Sequence, residues 1–180
     1  WILCEQTDRA MSYPLRSPKG EQIDKNVIKG VYKEIQYSEG LIKIFDEILV
    51  NAIDHSVKDS SVTQIKVNIN QESGEISVWN NGSGIPIEMH KEHNVLVPTM
   101  IFFELGTSSN YDDTEDRVTG GRNGLGSKLT NLFSKKFTLE TVDSNNKKKF
   151  IQTSYNNLDK IDPPKVTKFS GNSYTKVTFI

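Results

Sequence analysis

Cysteine is almost absent from these 180 residues: Cys4 stands alone, so no disulfide can close within the chain and no cysteine-rich zinc site can be assembled from it. A single thiol fits a reducing compartment. No apolar run approaches the roughly 20 residues a membrane-spanning helix needs, and the opening Trp1-Ile2-Leu3 is not followed by a signal-peptide pattern. Neither sign of charge dominates. With 22 Lys and Arg against 23 Asp and Glu, the chain lacks the basic footprint of a free-standing DNA-binding module. Internal repeats and low-complexity linkers are missing too. What is present, 35% hydrophobic residues, suffices for one sizeable core, and a single soluble, intracellular domain is expected. A first residue of Trp1 rather than methionine reads as a piece of a longer protein.

Glycine is concentrated where it can do chemistry. Gly120-Gly121-Arg122-Asn123-Gly124-Leu125-Gly126-Ser127-Lys128 places glycines where successive backbone N–H groups can turn toward one anion without a Cβ between them. Lys128-Leu129-Thr130-Asn131-Leu132-Phe133 follows with helical apolar spacing, and a helix start adds oriented donors and partial positive charge. This is not a P-loop, since Ser127 precedes Lys128 and Leu129 follows it. It is not the dinucleotide fingerprint either, which needs a third glycine in register. Taken alone, the spacing also fits a flexible surface loop.

Elsewhere the patterning predicts a regular layout. Residues 1–36 read as a short strand or arm, a loop containing Pro14, Pro18 and Gly20, and a second strand over 27–32. From Ser38, a suitable N-cap, Leu41, Ile44, Phe45, Ile48, Leu49, Ala52 and Ile53 fall on one face of a long helix. Its other side stacks Lys43, Glu47, Asn51 and His55 at four-residue intervals, a stripe that solvent alone would also explain. Residues 64–70 and 75–80 alternate as a hairpin with Ile65, Val67, Ile69, Ile76 and Val78 inward, leading into Asn80-Asn81-Gly82-Ser83-Gly84. Pro98 to Leu105 reads as a short helix, 106–126 as a lid-length loop, and 136–141, 149–155 and 174–180 as strands, with Pro163-Pro164 a break. The fold class expected is α+β: a two-layer sandwich of a twisted, mixed but mainly antiparallel sheet with helices on one face.

Together, Leu41-Ile42-Lys43-Ile44-Phe45-Asp46-Glu47-Ile48-Leu49-Val50-Asn51-Ala52, Thr107-Ser108-Ser109-Asn110-Tyr111-Asp112-Asp113 and Val118-Thr119-Gly120-Gly121-Arg122-Asn123-Gly124 closely resemble the ATPase domain of eukaryotic-type DNA topoisomerase II. The likeness is strong over 40–142, moderate over 163–180 and poor over 1–36. It implies the Bergerat fold shared with gyrase, heat-shock chaperones, histidine kinases and mismatch-repair ATPases, with ATP and Mg²⁺ as cofactors. On that likeness Glu47 falls on the general base for the attacking water and Asn51 on the magnesium ligand. The chemistry agrees: Mg²⁺ beside ATP keeps several waters, so one neutral amide carbonyl can suffice, while a carboxylate one turn away can take a proton from water. Asn80 falls on the reader of the adenine amino group, where much of the superfamily has aspartate; Ser108, Ser109 and Asn110 fall on ribose and phosphate contacts. Gly121, Arg122, Asn123, Gly124, Leu125, Gly126, Ser127 and Lys128 fall on the phosphate-wrapping loop. Leu125, Ser127, Ile53 and His55 depart from the family's usual residues, which affects the pocket wall rather than the chemistry.

The resemblance further implies a homodimeric topoisomerase whose other domains hold the duplex DNA, the cleaving tyrosine and a phosphate-sensing lysine. These 180 residues alone are therefore expected to bind ATP and hydrolyse it weakly. The intact enzyme would act in a nucleus, or in host cytoplasm if it came from a large cytoplasmic DNA virus. Rival readings are an ATPase of chaperone or mismatch-repair type and a non-catalytic nucleotide-binding module. His90 and His93 with Glu88 and Glu92 make a poor zinc set and read as a solvated turn. Lys147-Lys148-Lys149 reads as a hairpin tip, and the acids from Asp112 to Asp116 as solvated lid.

Overall fold

A computed structural model of the chain describes residues 5–9, 34–91, 93–104 and 125–180. The chain divides into two compact units, residues 1–43 and 44–180. Within the first, strands β1 (Glu5–Arg9) and β2 (Glu34–Ser38) pair antiparallel, with Glu5 opposite Ser38 and Arg9 opposite Glu34. The strands expected at 1–3 and 27–32, and the lid over 106–124, lie outside the described residues.

Helix α1 (Glu39–Lys58) carries Glu39 in its first turn and His55 and Lys58 in its last, the favourable charge order for a helix dipole. Ser38 directly precedes it, but does not cap it: Ser38 ends β2, and among the described residues its Oγ has no hydrogen-bond partner. The apolar stripe is real but shorter and narrower than its spacing suggests. Ile48 and Ala52 are buried, with Ile44, Phe45 and Leu49 packed alongside. Leu41 and Ile53, expected on the same face, are 65% and 44% exposed. Ile53 lies one residue on from Ala52, a rotation of ~100° that carries it to the flank of the stripe.

The second unit is built on strands β3 (Ile65–Asn70), β4 (Glu75–Asn81), β5 (Lys136–Asp143), β6 (Lys148–Tyr155), β7 (Lys160–Ile161), β8 (Lys165–Lys168) and β9 (Tyr174–Phe179). Their order is β3-β4-β9-β5-β6-β7, with β8 also pairing β6. Every pairing among the described residues is antiparallel, so the mixed sheet expected from sequence is here uniform in sense. Two short helices, α2 (Val97–Phe102, with proline in its first turn) and α3 (Gly126–Leu132), complete it.

Register explains the core. Val78, Val177 and Leu139 lie side by side across three strands, and Ile76, Phe179 and Phe137 form the next row. All project from one face because side chains alternate along a strand. Ile48 and Ala52 of α1 and Phe102 of α2, with Phe103 just beyond it, join that face in one cluster. This is the expected two-layer α+β sandwich. Each fully buried side chain such as Phe137 contributes about 1.5–3 kcal/mol. The hairpin needs one correction: Val67 and Ile69 are exposed although they alternate correctly, on the edge strand β3.

Buried polar groups bind the layers together. Asn131 Nδ2 donates to the Phe102 carbonyl at 2.9 Å, and its Oδ1 accepts from Ser154 Oγ, joining α3 to α2 and β6. Thr130 Oγ1 donates to the Ile44 carbonyl at 2.9 Å, holding α3 against α1. At one end of the helix-facing sheet surface the apolar rows give way to a polar one, Asn80, Thr175 and Thr141, adjacent across β4, β9 and β5. That row positions the site.

Candidate functional site

Glu47, half-buried on α1, lies against the start of α3. A Cβ built on Gly126 would stand 1.9 Å from Glu47 Oε2 and 2.7 Å from its Cδ, so the carboxylate rests on the glycine's bare Cα. Residues far apart in sequence meet here because Thr130, one turn further along α3, grips the Ile44 carbonyl one turn earlier on α1. The last residues of the glycine stretch and the proposed base therefore share one place.

Asn51 follows one turn later on the same stripe and is exposed. His55, a further turn on, meets Asn80: Asn80 Nδ2 lies 3.0 Å from His55 Nδ1 and donates to the Asn81 carbonyl at 2.8 Å. From Glu47 to His55 the stripe advances about 12 Å, with Asn51 midway. One helix edge thus presents a carboxylate, an exposed amide and an amide-holding imidazole in line.

The turn after β4 is held rigidly around that edge. Asn81 Oδ1 accepts from the backbone N–H of Thr63 and Gln64 at 2.9 and 2.8 Å. Asp59, just past α1, accepts from Ser61 Oγ at 2.6 Å, from Ser61 N at 2.9 Å and from Ser83 N at 2.9 Å. These donors, the Ser61 hydroxyl foremost, hold its carboxyl far below the usual carboxylate range. Gly84 has φ +73°, and a Cβ there would fall 2.1 Å from the Val142 carbonyl oxygen, so only glycine lets the turn pass so close to β5. Ile85 N donates to Thr141 Oγ1 at 3.1 Å and Ile87 N to Asp143 Oδ2 at 3.0 Å, completing the seam.

At the other end, Leu125 is partly exposed while Ser127 and Lys128 are buried. Burial lowers the Lys128 pKa, with the Glu104 charge acting the other way. The lysine therefore lies inside the second unit rather than on an open loop. Ser108, Ser109, Asn110, Gly121, Arg122, Asn123 and Gly124 lie outside the described residues.

Sequence reasoning placed His55 on the helix stripe but not against Asn80, and it missed Asp59, Thr141 and Thr175. Thr141 and Thr175 lie in one row with Asn80; their signal was a hydroxyl at an inward position of an otherwise apolar alternation. Spacing alone gives no sign that His55, or Asp59 one residue past α1, meets the strand end and its turn. Of the minor candidates, His90 and His93 bring their rings to 4.9 Å in a turn. Among the described residues no group of three metal-ligating side chains forms. Lys147 does occupy a turn, whereas Lys148 and Lys149 belong to β6, and Lys149 pairs with Glu140 at 3.1 Å. No described helix is long and apolar enough to cross a membrane.

The family model for histidine kinase-, DNA gyrase B-, and HSP90-like ATPases matches residues 36–156. The chain belongs to that ATPase family. Within it, DNA topoisomerase 2 of Acanthamoeba polyphaga mimivirus is 51% identical over 160 residues, covering 89% of this chain and 13% of that protein. The Penicillium chrysogenum DNA topoisomerase 2 is 57% identical over 148 residues, 82% of this chain and 9% of its own length. Among solved structures, the ATPase region of Saccharomyces cerevisiae topoisomerase II superposes with a TM-score of 0.81 at 47% identity, covering 98% of this chain and 44% of that one. The 43K ATPase domain of Thermus thermophilus gyrase B is more distant, with a TM-score of 0.62 and 26% identity over 78% of this chain and 33% of that one. The chain thus spans a small fraction of the curated relatives it matches, and the likeness concerns their ATPase part. As a member of this family it carries an ATP-binding fold.

Proposed function

We propose that this chain is the nucleotide-binding part of a DNA topoisomerase II that uses ATP with Mg²⁺ to pass one DNA duplex through a transient break in another. The observation that carries the reading is the convergence on one helix edge of Glu47 against Gly126 and His55 against Asn80, with Asn51 between them. A nucleotide lying along that edge would place its base at Asn80 and its terminal phosphate near Glu47 and the glycine segment. Glu47 then orients the attacking water and accepts its proton. Asn51, exposed and uncharged, fits a single protein oxygen ligand for Mg²⁺, which would neutralise phosphate charge when bound. Ser108, Ser109 and Asn110 are assigned to the ribose and phosphates, and Gly121, Arg122, Asn123, Gly124, Leu125, Gly126, Ser127 and Lys128 to wrapping the triphosphate.

The intact protein is proposed to be a homodimer acting on duplex DNA through other domains, in a nucleus or, for a viral enzyme, in host cytoplasm. The test is Glu47→Ala in the intact protein. ATP binding should persist while hydrolysis falls at least about 10²-fold; unchanged turnover would remove Glu47 from the mechanism. Stimulation of hydrolysis by duplex DNA separates this reading from a chaperone-type or mismatch-repair ATPase, and its absence would favour those.

A further inference from the structure

Asn80 cannot choose freely which end of its amide it shows. The Asn81 carbonyl, 2.8 Å away, can only accept, so the atom facing it is Nδ2. The same Nδ2 meets His55 Nδ1 at 3.0 Å, which makes that ring nitrogen an acceptor and therefore unprotonated. The ring proton then sits on Nε2, which faces Asp59 Oδ2 at 3.5 Å and Ser83 Oγ at 3.4 Å. Asp59 is itself fixed by the Ser61 and Ser83 donors, and Gly82 (φ +118°) lets the turn pack tightly beside it, since a Cβ there would stand 2.4 Å from Val62 Cγ2 and 3.1 Å from Asp59 Oδ2. Both amide hydrogens of Asn80 are taken by protein groups, so its Oδ1 is turned away from them, and no hydrogen bond to Oδ1 is seen among the described residues.

We infer that His55, anchored by Asp59, is a positioning residue that locks Asn80 with its carbonyl toward the nucleotide and so makes the site select a 6-amino purine over a 6-oxo purine. The inference rests on the nucleotide reading above. A carbonyl accepts from an exocyclic amino group and opposes an oxo group, oxygen against oxygen. Without the acceptor on His55, only Asn81 holds the amide, and Asn80 can turn to offer N–H to an oxo base.

The experiment measures ATP and inosine triphosphate binding by calorimetry to the full chain and to His55→Phe and His55→Asn variants, with melting curves confirming that each is folded. Wild type should prefer ATP. His55→Phe should lose about tenfold of that preference, through weaker ATP binding with inosine triphosphate binding held or improved. His55→Asn, whose side-chain carbonyl can accept from Asn80, should restore it. Equal weakening of both nucleotides by His55→Phe would mean mere structural damage and would overturn the positioning role. Should wild type bind neither nucleotide, the parent reading falls with it. If His55→Phe does not fold, nitrogen NMR of wild type decides: near neutral pH, Nδ1 must be bare and Nε2 protonated, and a ring carrying its proton on Nδ1 overturns the inference.

Discussion

The contact between Glu47 and Gly126 is the most consequential at residue scale, because it leaves no room for a methyl group. In Gly126→Ala the new Cβ would meet the free end of a flexible side chain rather than backbone, so the fold should survive and the carboxylate should move. Since Gly126 is also assigned to the triphosphate, we expect nucleotide affinity to weaken, and turnover in the intact protein at saturating ATP to fall about 10²-fold, the usual effect of displacing a reacting group by ~1 Å; steady-state kinetics beside a binding titration would show both. Gly84→Ala differs in kind. Its Cβ would strike the Val142 carbonyl oxygen at 2.1 Å from a left-handed conformation, so neither side can yield easily. A stability loss of at least about 2 kcal/mol is expected in urea denaturation. The sequence proposes Glu47, Asn51 and Asn80 as site residues through their resemblance to a known motif. It does not show that His55 meets Asn80 or that Gly126 meets Glu47, because those contacts form only once the sheet and helices are assembled.

At the scale of elements, the layers are joined by a few polar bonds whose loss should outweigh that of many surface contacts. Asn131 is fully buried and serves α2, through the Phe102 carbonyl, and β6, through Ser154. Asn131→Leu keeps the branched shape but orphans both partners and adds bulk, and unfolding should become easier by about 2–4 kcal/mol. Strands with clear alternation or β-branched runs, such as β5 and β6, could be read directly from periodicity, as could α1. β7 and β8 could not: Lys160–Ile161 has two residues, and Lys165–Lys168 is exposed along its length, so neither leaves a burial rhythm. The exposed Val67 and Ile69 teach the complementary lesson, since alternation marks a strand's faces but not whether anything covers them.

Across the whole molecule, two carboxylates among the described residues tie stability to acid. Burial pushes the Asp143 pKa up, but hydrogen bonds from Asn146 and the Ile87 N–H outweigh it and the net shift is downward; Asp59 is lowered as well. Because both bind protons less readily when folded, their contributions are complete above the unfolded value of about 3.9 and fade as pH falls through the folded ones. Asp143→Asn should therefore flatten the fall in stability as pH drops below about 5, as read from urea midpoints along a pH series. An unchanged slope would remove Asp143 from acid sensitivity. The overall architecture was legible because local pattern and motif resemblance agree on one fold; the convergence of Glu47, Asn51 and Asn80 is a property of the assembled chain. Its most direct measurement is a crystal structure with a non-hydrolysable ATP analogue and Mg²⁺. The account predicts the adenine amino group on Asn80 Oδ1, the metal beside Asn51 and the γ-phosphate between Glu47 and Gly126. A nucleotide bound away from the Glu47 to His55 edge of α1 would contradict it.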